Sequence, residues 1–260
     1  MVNEMDSSVE NSSSGYRFPA AGRIENDWRR WGLWEIILGL AFGHFLAAIA
    51  YAIATRVGGY EDIADYPMWL VAVANFPLQC SMLLAVVFAA TYRGGGISKD
   101  FLFRMERNDI FLGVSTGIAA QFLLVPALTY PTLWLFDKDI EDVRKIAEEL
   151  TDRSSSPIGV IALVGFVGVF TPIAEELFFR GLVYGSLRKR LNLSSGKCIW
   201  VSMIISSAVF SVVHFQWVLL PALFGVGLVF NLLYEKTGRL APAIWAHIGF
   251  NAVTLINLLV

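Results

Sequence analysis

The residues best suited to chemistry fall in three short patterns in the second half of the chain. Thr171-Pro-Ile-Ala-Glu-Glu-Leu-Phe-Phe-Arg180 carries two adjacent carboxylates and a guanidinium. Phe210-Ser-Val-Val-His214 carries an imidazole, and His247-Ile-Gly-Phe-Asn251 a second imidazole with an amide. All three lie in apolar sequence, where an ionisable group is costly and asks for a reason. On a helix Glu176 and Arg180 stand four apart and can neutralise one another. Glu175 is turned by about 100° from Glu176 and has no local partner. This offset predicts a division of roles, with Glu176 paired structurally and Glu175 available as a general base or acid. Pro172 removes one backbone hydrogen bond, which in an α-helix frees the carbonyl of Gly168, so a kink that admits water beside the glutamates is expected. Phe210 and His214 share a helix face, so the ring can shield and orient the imidazole. His247 and Asn251 share another, with Gly249 between them allowing a second helix to approach closely.

A lone Glu176–Arg180 pair, or the His247 and Asn251 pair, reads equally well as buried packing, and a lone His214 reads better so; the unpaired Glu175 turns the first pattern towards chemistry. Together, a carboxylate, two imidazoles and an amide on three helices are the parts for water-mediated amide hydrolysis. Glu175 would take a proton from a water that His214 helps to hold, and His247 and Asn251 would stabilise the oxyanion. Glu175, His214 and His247 are also a legitimate ligand set for a divalent metal such as zinc with one open position. No H-E-x-x-H is present, and the sequence does not choose between the metal-free and metal-assisted routes. An ion or proton carrier would use the same residue types, but no inverted repeat supports one.

The elements that must position these residues are membrane helices. Of 260 residues, 56% are hydrophobic and only 16% charged, with a mean hydropathy of +0.59. The apolar residues come in long uncharged blocks, the mark of an all-α polytopic membrane protein. Seven blocks can span a bilayer: Gly32–Ala54, Met68–Tyr92, Asp109–Phe136, Ile158–Leu187, Ile199–Phe215, Trp217–Tyr234 and Leu240–Leu259. Gln216 alone separates the fifth from the sixth, leaving room for an eighth, re-entrant piece. Residues 1–31 form a polar tail, expected to be disordered and cytoplasmic, too long and too acidic for a signal-peptide n-region. Residues 32–260 form the membrane domain, with 158–260 the catalytic core.

With the N-terminus in the cytoplasm, the cytoplasmic segments hold fourteen Lys and Arg and the outer loops five. This places the C-terminus outside. Trp28, Trp31 and Trp34 beside Arg29 and Arg30 suit an interfacial anchor. Ile140, Val143, Ile146 and Leu150 predict an amphipathic helix on the outer surface. No basic cluster interleaved with aromatics points to nucleic acid, so the expected partners are lipid and a membrane-associated peptide or protein. Cys80 and Cys198 read as structural and unpaired. Depth presents a difficulty: counted along the helices, His247 is shallower than Glu175 and His214. They meet only if the last span begins outside the hydrocarbon or the fourth and fifth helices project from it.

Glu175-Glu176-x-x-x-Arg180, Phe210-x-x-x-His214 and His247-x-x-x-Asn251 resemble, in order, the three motifs of the CAAX protease and bacteriocin-processing (CPBP) family. These are the type II CAAX prenyl endopeptidases and their prokaryotic relatives. The resemblance covers residues 171–251. It implies an all-helical intramembrane protease with a cavity open to the cytoplasm. It further implies that Glu175 activates water, that His214, His247 and Asn251 support the transition state, and that Glu176, Arg180 and Phe210 support the site. The family has been described both as metal-dependent and as glutamate-dependent, so the metal stays open. Some relatives are non-catalytic scaffolds or bacteriocin-immunity proteins, which is the alternative function, and the substrate is not implied.

Overall fold

The computed structural model describes residues 32–62, 65–191 and 193–259; the polar tail, with Trp28 and Trp31, lies outside them. Among the described residues the chain is all-helical. Its main elements are α1 (Leu33–Gly58), α2 (Met68–Tyr92), α3 (Asp109–Leu135), α4 (Ile140–Arg153), α5 (Pro157–Arg190), α6 (Ser195–Val212), α7 (Leu220–Thr237) and α8 (Ala241–Leu259). Helix α4 covers the residues expected to form an amphipathic helix, although the side chains of Ile146 and Leu150 lie outside the described set. Among the described residues six helices are long and apolar enough to cross a membrane: α1, α2, α3, α5, α6 and α8. The seventh expected span is present as α7 but is not among them, since Asn231, Glu235 and Lys236 dilute its apolar run. No re-entrant helix follows Gln216; Val213 to Leu219 form turns between α6 and α7.

Large apolar side chains cover the outside of the bundle, including Trp34, Phe111, Leu123, Trp134, Ile161 and Trp200, as lipid-facing helices require. Inside, the core gathers around α5, where Phe178, Phe179, Leu182 and Tyr184 pack with Phe101, Phe210 and Tyr234. Helix α8 is held mainly by α3, which runs parallel to it. A Cβ on Gly117 would lie 2.0 Å from the Ala246 carbonyl oxygen, and one on Gly249 would lie 2.9 Å from the Val114 Cα. The two backbones are in direct contact, as small-residue seams allow. The close approach expected at Gly249 is thus made by α3.

The basic loops meet at one end of the bundle. Arg239 pairs with Asp109 at 2.7 Å and Glu106 at 3.0 Å, and the Asp109 hydrogen bonds raise the pKa of its guanidinium. Arg188 pairs with Glu235 at 3.2 Å, and the Tyr184 hydroxyl donates to the same carboxylate. Glu35, buried at the start of α1, accepts from Gly32 N–H at 2.8 Å and pairs with Arg93 at the end of α2 at 2.9 Å.

That end is stepped, which removes the depth difficulty. Leu240 N–H donates to the Leu102 carbonyl at 3.1 Å, and Phe101 packs on Gly181. Helix α8 therefore begins level with Gly181, nine residues and roughly 13 Å short of the end of α5. Helix α5 has 34 residues, about 51 Å against a hydrocarbon core of about 30 Å, so it must project. His247, six residues into α8, comes level with Glu175.

Gly117→Val should destabilise the protein by roughly 1–3 kcal/mol of overpacking, read as a lower melting temperature in detergent. Gly196→Ala, where a Cβ meets nothing within 4 Å, should not. Equal melting of Gly117→Val and wild type would show that the α3–α8 seam is looser than described.

Candidate active site

Helix α5 is not a regular α-helix around the glutamates. Two π-helical stretches, Leu163–Phe170 and Leu177–Tyr184, flank an α-helical Thr171–Glu176. In the first, the Thr171 N–H reaches Phe166 O, five residues back. With that spacing the N–H missing from Pro172 orphans the carbonyl of Val167 rather than that of Gly168. The orphan is not left to water: Asn251 Nδ2 donates to Val167 O at 2.8 Å. One proton of the amide expected to face an oxyanion thus ties α8 to the break in α5.

The three aligned patterns form one buried chain. Glu176 and Arg180 are both 0% exposed, with Arg180 Nη1 donating to Glu176 Oε1 at 2.9 Å. The guanidinium lies 4.5 Å from the Phe210 ring centre and 5.2 Å from that of Phe230, and Nη2 reaches Gly227 O at 3.5 Å. Glu176 Oε1 also accepts from His247 Nδ1 at 2.8 Å. Because a carboxylate can only accept, Nδ1 carries the proton and Nε2 points the other way.

His214 is fixed differently. Helix α6 stops at Val212, and His214 stands in the turn beyond it, followed by Phe215 at φ 54. Its backbone N–H goes to Ser211 O at 3.3 Å, so its ring takes over Phe210 O, Nδ1–H donating at 2.6 Å. The side chain thus caps a helix-end carbonyl. The expected Phe210 contact is present, with ring centres 4.7 Å apart in an edge-to-face arrangement, and Phe210 also touches His247 at 5.9 Å.

Both free imidazole nitrogens face Glu175. His247 Nε2 is 3.8 Å and His214 Nε2 4.0 Å from Glu175 Oε2. This oxygen is buried and has no hydrogen-bond partner among the described residues. The separations are too long for direct hydrogen bonds and right for one water bridging the three groups. Two ligands of a tetrahedral zinc stand about 3.4 Å apart, so the donors are correct in type but too widely spaced. Among the described residues no group of three His, Cys, Asp or Glu is arranged to hold a metal.

Beside Glu175 and His214 is a cavity of about 60 Å3, room for more than one water. It is also lined by His44 of α1 and Gln79 of α2, neither of which the motif reading singled out. The signal for His44 was available, since an imidazole within an apolar span met the same criterion as the other two histidines. Gln79 carried no such signal. Cys80 and Cys198 are both free.

The sequence model for Rce1-like type II CAAX prenyl endopeptidases matches residues 157–253. The putative membrane peptidase YdiL of Bacillus subtilis (strain 168) is 32% identical over 234 residues, covering 86% of this chain and 87% of that protein. The membrane-embedded CAAX protease MroQ of Staphylococcus aureus (strain USA300) is 31% identical over 91 residues, 35% of this chain and 37% of MroQ. The UPF0177 protein YxdF of Lactococcus lactis subsp. lactis (strain IL1403) is 30% identical over 87 residues, 33% of this chain and 44% of YxdF. The chain thus spans less than half the length of MroQ and of YxdF. No solved structure matches.

The two glutamates should part company in stability measurements. Glu176→Ala leaves Arg180 buried without its counter-charge and should destabilise the protein by about 3–5 kcal/mol. Glu175→Gln removes a carboxylate oxygen with no partner and should leave the melting temperature nearly unchanged. Equal losses from both changes would contradict this division.

Proposed function

The chain belongs to the Rce1-like type II CAAX prenyl endopeptidase family, and we propose that it is an intramembrane endopeptidase cleaving a membrane-associated peptide or protein. The observation that carries this reading is Glu175 Oε2, buried and unpartnered, with two imidazole nitrogens 3.8 and 4.0 Å away. A buried carboxylate oxygen without a partner is costly, and a reactive water held among these three groups would satisfy it.

In the proposed reaction, Glu175 accepts a proton from that water while His214 Nε2, acceptor in the neutral ring, keeps it aligned. The hydroxide oxygen adds to the peptide carbonyl carbon. His247 meets the resulting oxyanion with Nε2–H, and the Glu176 carboxylate behind the ring balances the charge of a doubly protonated imidazole. Asn251 has one further N–H on the nitrogen already bonded to Val167, and it contributes to the oxyanion site only through that proton. Glu175 then returns its proton to the leaving amine as the C–N bond breaks. No step passes through a metal, because the donors are set too far apart to share one.

The basic end of the bundle is proposed to face the cytoplasm, with the N-terminus on that side and the C-terminus outside. The support is the concentration of Lys and Arg in the loops that meet there.

The peptide termini of membranes carrying wild-type protein should include species that disappear with Glu175→Gln at equal protein level, reflecting a fall of about 10²–10⁴-fold in cleavage. Identical terminal profiles, with any phenotype rescued equally, would favour a non-catalytic scaffold of the same family. For orientation, single cysteines are introduced in a background lacking Cys80 and Cys198. Lys138→Cys should react with an impermeant maleimide in intact cells, and Ser98→Cys only after permeabilisation. The reverse pattern would invert the topology.

A further inference from the structure

The cavity beside Glu175 is also lined by two polar groups, from α1 and α2, that have no evident structural reason. His44 sits in the first span, where burial of an imidazole is costly. Its ring is fixed on one side only: Nδ1–H donates to Leu40 O at 2.8 Å, and the ring meets Phe215 edge-on at 5.8 Å. Phe215 directly follows His214, so one aromatic contact couples His44 to the catalytic turn. Nε2 of the neutral ring is left as an acceptor, with no partner among the described residues. Gln79 is 5% exposed, and its Oε1 is buried with no hydrogen-bond partner there either. A buried amide oxygen without a partner is costly, so a leucine at this position would serve packing better. Around these two groups the cavity is apolar, lined by Leu40, Leu78, Met82 and Val213.

His44 and Gln79 line the same cavity as Glu175 and His214, and their acceptors in an apolar setting are complementary to N–H donors flanked by apolar groups. The donors of an extended peptide that recur beside every carbonyl are its main-chain N–H groups. We propose that His44 and Gln79 form a substrate subsite that accepts main-chain N–H groups of the peptide whose carbonyl is presented to Glu175. Leu40, Leu78 and Met82 take the adjoining apolar side chain. The assignment rests on the peptidase reading above and adds to it a recognition surface supplied by α1 and α2, outside the three motifs. It also accounts for the unsatisfied Gln79: the amide is paired only when substrate is bound, as in sites that discriminate by hydrogen bonding.

The test uses binding, so that it is separate from hydrolysis. Full-length protein in detergent is titrated with acetyl-Leu-Leu-Leu-amide and with the same tripeptide N-methylated at its backbone nitrogens. Wild type and Glu175→Gln should bind the first peptide alike. His44→Ala and Gln79→Leu should each bind it at least tenfold more weakly, and N-methylation should abolish binding to wild type. Gln79→Leu should melt at or above the wild-type temperature, a combination that a packing role does not produce. It also keeps the test valid if His44→Ala folds poorly. Unchanged binding in a well-folded Gln79→Leu protein, equal binding of the N-methylated peptide, or no binding to wild type would each overturn the subsite. Hydrolysis of the same peptide that is indifferent to Glu175→Gln would overturn the catalytic reading and leave the subsite standing.

Discussion

A positive charge fully removed from solvent inside an apolar bundle must be neutralised and fixed, and Arg180 is that charge. Its counter-ion Glu176 lies one helical turn away on the same helix, and its flat faces lie against Phe210 from α6 and Phe230 from α7. The same Glu176 oxygen accepts from His247 on α8. One ion pair thus sets the relative positions of four helices, and the orientation of the His247 imidazole follows from it. A guanidinium is suited to this position because it cannot discharge and because its plane stacks on rings. An ammonium would satisfy the carboxylate but not the two aromatic faces.

The second constraint is the backbone of α5. Its π-helical stretches are longer than the single-turn insertions in which this geometry is usually found. They lie immediately before and after the six residues that hold the glutamates. Pro172 would be tolerated poorly in an unbroken α-helix. Here its missing donor coincides with a carbonyl that Asn251 reaches from another helix. Site and scaffold are therefore the same object: the side chain that relieves the proline break sits one turn from His247. The seam of Gly117 and Gly249 brings α3 against the opposite side of α8 and leaves it little freedom to withdraw.

Much of this was legible because it obeys a helical period. Glu176 with Arg180 and Phe210 with His214 are four apart, and residues four apart on one helix meet whatever the rest of the chain does. The apolar blocks marked the membrane helices, with Met68–Tyr92 found at the expected bounds, because a bilayer demands length and hydrophobicity in one run. What escaped the sequence depends on contacts between distant segments or on departures from the period. The π geometry moved the orphan carbonyl from Gly168 to Val167. Positive φ at Phe215 placed His214 beyond its helix rather than within it. The depth of His247 depended on a loop contact between Leu102 and Leu240, which no local pattern encodes. Gln79 became part of the cavity wall only when α1 and α2 folded over α5. Helix α7 passed as a span on length, although its last turns are too polar for it to count as one on composition alone.

The step at the basic end has a consequence for the lipid. With α5 reaching roughly 13 Å beyond the first residues of α8, no flat bilayer can match both. Lipid beside α5 must thicken, or headgroups on the α8 side must sink, and each ångström of mismatch carries a cost. Sinking is favoured where Asp109 and Arg239 already bring charge to the lower level. The local membrane is then thinnest on the side from which His247 lies only about 9 Å deep, and a polar peptide bond approaching there crosses much less hydrocarbon than half a bilayer. The protein thus acts on its lipid solvent, lowering the apolar barrier between the membrane surface and the buried Glu175.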